Sequence, residues 1–229
     1  MTDESGKPIA RRAIVTALGS GAVALGAFST APAASAQSTG WRPAMEAQDE
    51  WMELPGRHRM VFDSISAGGL GQALVFANNV IEENRRAYDL DPSQQAIIMI
   101  VRHAATMFGY DDALWAKYGE AFTKRAALLD PRTKAAPVRN LYNATGYGQE
   151  LANGGVTFAS LAAQGVHFAV CGRSTRGMIQ GMVADTKLKA EDLFEEFKAH
   201  LLPNGHIVPA GIVALNRTQE RGYAVAYTG

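Results

Sequence analysis

The chain has 229 residues, 22 basic and 22 acidic side chains, and one cysteine. A length of this order buries a core without staples and suggests one ordinary domain with an appendage, while a single cysteine excludes an internal disulfide framework. A formal charge of zero excludes the global basic field that draws proteins to nucleic acid or anionic lipid, so a small molecule or a protein is the expected partner.

Residues 1–36 read as an export signal. Lys7, Arg11 and Arg12 precede an uncharged run, Ala13 to Ala36, whose apolar part ends at Phe28 and is rich in Ala and Gly. It is short and weakly apolar beside the roughly 20 residues that a membrane span requires. Ala34-Ser35-Ala36 fits the small-x-small cleavage rule, and Arg11-Arg12 resembles a twin-arginine signal. Ala13-Ile14-Val15 departs from the fuller twin-arginine consensus, which keeps the general secretory route as the alternative. The expected location is periplasmic or exported in a bacterium, with no stable membrane span after cleavage. Cleavage takes away three bases (Lys7, Arg11, Arg12) and two acids (Asp3, Glu4), leaving a net charge of −1.

Residues 37–57, with Trp41, Trp51, Pro43 and Pro55, show no sustained period and read as an arm packed by its tryptophans. The domain proper spans 58–229. Arg59 to Ile65, around Met60-Val61-Phe62, predicts a strand. Ser66-Ala67-Gly68-Gly69 is a turn, and Leu70, Leu74, Ala77, Val80 and Ile81 have the spacing of a helix that stops near Tyr88. These glycines fit neither the dinucleotide fingerprint nor the P-loop, so they read as a tight turn and not a phosphate cradle. Ala96 to Val101 is six apolar residues without alternation, a strand buried on both faces as in a parallel sheet. A helix at Thr157–Gln164 precedes a third strand at Val166–Val170. His206-Ile207-Val208 is a short fourth strand, followed by a helix at Ala210–Arg221 and a last strand at Tyr223–Tyr227. This alternation predicts an α/β fold, a three-layer α/β/α sandwich with an open, mainly parallel sheet of about five strands.

Residues 104–155 fit the alternation badly and read as an insertion that covers one edge of the site. It carries a helix-like segment, Asp112–Leu129, and a Tyr/Asn/Gly-rich stretch, Asn140–Gly155. Its aromatics and amides, among them Phe108, Tyr110, Trp115, Tyr118, Asn140 and Tyr142, either line a ligand pocket or form a surface subdomain with its own small core.

Cys171 carries the most chemical information. It closes an apolar strand and opens Gly172-Arg173-Ser174-Thr175-Arg176-Gly177, at the carboxyl end of a strand, where open parallel sheets bind ligands. Turn amides, a helix N-terminus and the charges of Arg173 and Arg176 would favour a thiolate there. Position alone leaves two readings open, a nucleophile and a buried inert thiol that behaves as a small hydrophobe. His103 and Arg102 stand at the end of the 96–101 strand, on the same sheet edge in a parallel topology. His103 has the chemistry of a general base or a partner to a thiolate, or of a structural imidazole. Arg102 would bind an anion or pair with a carboxylate.

Gly165-Val166-His167-Phe168-Ala169-Val170-Cys171-Gly172 resembles the G-V-x-hydrophobic-x-V-C-G element of the DsrE/DsrF-like sulfur-relay family. Leu201-Leu202-Pro203-Asn204-Gly205 through Val208-Pro209-Ala210-Gly211-Ile212-Val213-Ala214-Leu215 continues the likeness, completed by Gln219 to Ala224. The resemblance is specific over Gly165–Tyr227, weaker over the first two strands and absent from 104–155. It implies a three-layer sandwich, usually oligomeric, in which Cys171 carries a persulfide. It also implies a histidine near the position of His103, followed by Gly where this chain has Ala104.

The functional expectation is a periplasmic sulfurtransferase or sulfur carrier. Cys171 takes up sulfane sulfur from a donor protein or small molecule and passes it to an acceptor. His103 assists, and Arg102, Gly172, Arg173 and Arg176 hold the anion. The alternative is a non-catalytic module that binds a small molecule or partner at the same sheet edge. No cofactor is expected, and no metal, because the remaining histidines lack metal-site spacing and there is no second cysteine.

Overall fold

The computed structural model describes residues 46–229. The expected signal at 1–36, and Trp41 with the start of the arm, lie outside the described residues. Five strands, β1 (His58–Ser64), β2 (Gln95–Val101), β3 (His167–Cys171), β4 (Gly205–Val208) and β5 (Ala224–Thr228), form one sheet in the order β4-β3-β2-β1-β5. Every pairing is parallel. All seven residues of β2, at the centre, are buried, as its unbroken apolar run requires.

The helices are α1 (Ala67–Tyr88), α2 (Asp112–Ala126), α3 (Phe158–Ala162), α4 (Gly172–Thr186), α5 (Ala190–Ala199) and α6 (Gly211–Glu220). Right-handed crossovers explain how they divide between the two faces. The chain steps from β1 through β2 and β3 to β4 in one direction, so the helices on that path lie on one face. There Phe62, Ile97, Met99, Val101, Phe168 and Val170 meet Leu70 and Leu74 of α1, Ile179 of α4 and Phe197 of α5. The return from β4 to β5 runs the opposite way and puts α6 on the other face. Here Val61, Ile98, Ile100, Ala169 and Val208 pack with Ala214 of α6, Met52 and Tyr223. The fold is the three-layer α/β/α sandwich with an open parallel sheet that the alternation predicts. No helix among the described residues is long and apolar enough to cross a membrane.

One expectation needs correction. The aromatics of 104–155 do not form a separate small core, and Trp115 and Tyr118 also border a depression beside α2. Phe108, Tyr110, Trp115, Tyr118 and Tyr142 all belong to the main core on the α1 face, with Phe108 stacked on Tyr142 at 4.6 Å. Asn140 is an internal staple: its Nδ2 donates to the carbonyls of Phe108 (2.8 Å) and Tyr110 (2.9 Å), and its Oδ1 accepts from the amide of Tyr142 (3.1 Å). The segment matches the sheet pattern badly because it packs as a 3-10 turn (His103–Gly109), a helix and loops against the flank of the sandwich. The glycine turn after β1 is filled by the chain itself. Ser66 caps α1, accepting from the Gly69 amide at 3.0 Å, and the Gly229 carbonyl accepts from the Ser66 amide (3.0 Å) and hydroxyl (2.8 Å).

Candidate functional site

The sheet register sets Ser64, Val101, Cys171 and Val208 at one edge, the carboxyl ends of four neighbouring strands. The chain leaves β3 toward one face of the sheet and β4 toward the other. This is a topological switch point, where open α/β sheets form their ligand crevice. A cavity of about 260 Å³ lies there, lined by Arg102, His103, Arg125, Cys171, Arg173, Ser174, Ala210, Gly211 and Ile212. It is smaller than the roughly 300–1,000 Å³ of sites for drug-sized ligands, which suits a small one. A larger depression of about 510 Å³ runs beside α2, with mixed charge from Lys117, Lys124, Glu120 and Asp185 and no nucleophile.

Cys171 is both the last residue of β3 and the N-cap of α4. Its Sγ accepts from the Ser174 amide at 3.4 Å, taking the place a Ser or Asp oxygen occupies in most caps. An amide N–H and a helix N-terminus both favour negative charge on that sulfur. The residue is only 5% exposed, and what it exposes faces the cavity. Its backbone is held as well. Thr175 Oγ1 donates to the Cys171 carbonyl (3.0 Å) and therefore accepts from the buried Tyr110 hydroxyl (2.6 Å), whose pKa burial raises above the usual range. The Ser174 hydroxyl oxygen accepts from the His103 amide at 3.1 Å, tying the end of β2 to the first turn of α4.

Arg102 answers the question its sequence position leaves open, because it does both things. Its Nε and Nη2 donate to the two carboxylate oxygens of Asp63 at 2.7 and 2.8 Å, and the side chain still lines the cavity. The Asp63 side chain is 3% exposed and that of Arg102 14%. Arg102 is held more firmly protonated than an ordinary guanidinium, first by the Asp63 hydrogen bonds, then by the charge of Asp63, with smaller contributions from Tyr227 and Cys171.

The other expected site residues divide. Arg173 lines the cavity; Gly172 lies against the Val208 carbonyl, where a Cβ would come within 2.7 Å. His103 lines the cavity but is exposed, and among the described residues its ring makes no hydrogen bond, so no Cys–His dyad is preformed. It adopts a left-handed backbone (φ 52°), a conformation that glycine takes without strain. Arg176 stands apart from these. One turn further along α4, it does not line the cavity, and its guanidinium lies 4.3 Å over the Phe194 ring. Asp63, Arg125 and the first turn of α6 are site features that the sequence reading passes over. An acid inside a strand buried on both faces demands a buried cation, which is a usable signal for Asp63. Nothing in the sequence places Arg125, on α2, beside Cys171.

No family model matches this sequence, and neither does any curated protein. Among solved structures, a protein of unknown function from Methanobacterium thermoautotrophicum, MTH1491, is similar to it at 15% identity. The alignment covers 74% of this chain and 98% of that one, with a TM-score of 0.37. A likeness that slight carries no argument about function.

A second polar cluster lies at the opposite, amino-terminal ends of the strands. His167 Nδ1 and His206 Nε2 are 3.0 Å apart on neighbouring strands, and Trp51 stacks on His206 at 4.0 Å with planes 4° apart. Desolvation, then the neighbouring His167, lower the His206 pKa to about 4. No group of three metal-ligating side chains occurs among the described residues.

Proposed function

We propose that Cys171 accepts sulfane sulfur as a persulfide and passes it to an acceptor, and that the protein is a sulfur carrier or sulfurtransferase. The observation that carries this reading is the placement of the Cys171 sulfur. It caps α4, takes an amide hydrogen bond, and faces a switch-point cavity that three arginines line and no carboxylate does. A persulfide anion formed there keeps the same stabilising groups. The resemblance of Gly165–Tyr227 to sulfur-relay proteins supports the reading from sequence. Residues 1–36 support a site of action outside the cytoplasm, with Arg11-Arg12 and Ala34-Ser35-Ala36 as the transport and cleavage signals.

The burial of Cys171, at 5% exposure, favours a second reading: a module that binds a small anion in the same cavity without sulfur transfer. One experiment separates them. The mature protein and Cys171→Ser are exposed briefly to polysulfide, and intact masses are compared before and after treatment with a thiol reductant. Gain of one sulfur atom that reductant removes, in the wild type alone, is the expected result. The same mass in both proteins overturns the carrier reading and leaves the module.

A further inference from the structure

Two of the three guanidiniums facing the cavity have no partner among the described residues. Arg102 is neutralised by Asp63, whereas the side chains of Arg125 and Arg173 make no hydrogen bond or ion pair with any described residue. Counted with Asp63, the site carries a formal charge of +2 against which the cavity wall places no carboxylate. The three cations come from separate elements: Arg102 follows β2, Arg125 is on α2 and Arg173 is in the first turn of α4. A chance run of charge along one helix face would not converge in this way. A fourth element adds to them, since α6 opens on the cavity with Gly211 and Ile212, and its N-cap residue, Ala210, offers no side-chain cap. An electropositive cavity of this size, closed on one side by a cysteine sulfur, is complementary to a small dianion.

Resting on the sulfur-carrier reading above, we infer that the donor is a small dianionic sulfur oxyanion with a terminal sulfane sulfur, of the thiosulfate class. Arg125, Arg173 and the α6 N-terminus hold the oxyanion group. The Cys171 thiolate, having lost its proton to water, attacks the terminal sulfur. The sulfur–sulfur bond of the donor breaks, a new bond joins Cys171 Sγ to the transferred sulfur, and sulfite leaves with the bonding electron pair. The reaction converts one thiolate and one thiosulfate into one persulfide anion and one sulfite, and it needs no outside oxidant or reductant. The same arginines that bind the donor hold the charge on the departing sulfite.

The test uses the mature protein, Cys171→Ser, and the double variant Arg125→Gln/Arg173→Gln, whose replaced side chains are exposed and carry no packing role. Binding of thiosulfate and of sulfate to Cys171→Ser is measured by calorimetry. Loading of the wild type by thiosulfate is followed by intact mass together with released sulfite. The expected results are one sulfite per sulfur gained, dependent on Cys171, and thiosulfate affinity lower by about tenfold per arginine removed. If polysulfide loads Cys171 while thiosulfate neither binds nor releases sulfite, this inference fails and the carrier reading stands. Thiosulfate that binds no better than sulfate and releases no sulfite also overturns the donor assignment. If neither donor loads the cysteine, the carrier reading falls with it.

Discussion

Replacing Asp63 by Asn tests the foundation of the site. The carboxylate is 3% exposed and meets the 14% exposed Arg102 in a two-pronged ion pair at 2.7 and 2.8 Å. Removing one member of a buried pair leaves an uncompensated charge, at a cost of about 3–5 kcal/mol. Arg102 retains access to the cavity and its water, so the cost falls to the bottom of that range or below it, roughly 2–3 kcal/mol. For a domain of 150–250 residues each kcal/mol moves Tm by about 2–4 °C, so the expected loss is about 4–12 °C by calorimetry. Arg102→Met strands the buried Asp63 and costs a similar amount. The double variant leaves no buried charge, and a double-mutant cycle is expected to give a coupling of about 2 kcal/mol. Anion binding moves the other way, because loss of Asp63 raises the formal charge of the site. An unchanged Tm in Asp63→Asn, or additive effects in the cycle, would refute the reasoning.

Three further predictions follow from particular contacts. The half-buried His206 has a folded pKa of about 4 against an ordinary 6.5, so the unfolded chain takes up the proton first, and the stability present above pH 6.5 is lost as pH falls toward 4. Because His206 is partly exposed the loss is screened to about 1 kcal/mol, and urea titrations at pH 7.5 and 4.5 should show it shrinking in His206→Gln. Gly211→Ala sets a Cβ at 2.8 Å from both Cβ and Cδ of Arg102, so it should displace that side chain, destabilise by about 1–3 kcal/mol and weaken sulfate binding several-fold by calorimetry. Tyr110→Phe should cost about 1 kcal/mol in urea denaturation, because it removes the buried hydroxyl bonded to Thr175 at 2.6 Å and leaves the ring packing intact.

What was legible in the sequence is what local pattern determines. The unbroken apolar run of β2, the turn and helical spacing after β1, and the placement of Cys171 at a strand end all follow from residues close in the chain. Helix α5 carried a readable pattern that the alternation scheme passed over: acids at Glu191 and Asp192 in its first turn, buried Leu193 and Phe197 four apart, and Lys198 in its last turn. The site itself depends on strand order, which no local pattern encodes. Only the order β4-β3-β2 sets Cys171 between the end of β2 and the start of α6, and only the packing of α2 on the flank brings Arg125 to the same cavity. The aromatics of 104–155 misled for a related reason. Tyr, Asn and Gly suggest a ligand surface when read as composition, yet Tyr142 is 1% exposed and its hydroxyl donates to the Ala67 carbonyl at 2.7 Å.

The central claim is that the Cys171 sulfur is reachable from the cavity and reacts there in a cationic field. Native-state alkylation by iodoacetate, an anion, beside iodoacetamide, its neutral counterpart, reads both properties at once. Relative to a free cysteine, the account predicts that Cys171 favours iodoacetate over iodoacetamide by about tenfold, and that salt near 1 M, with a screening length of about 3 Å, removes most of the preference. A thiol that resists both reagents until the protein unfolds, or that reacts without regard to their charge, would contradict it.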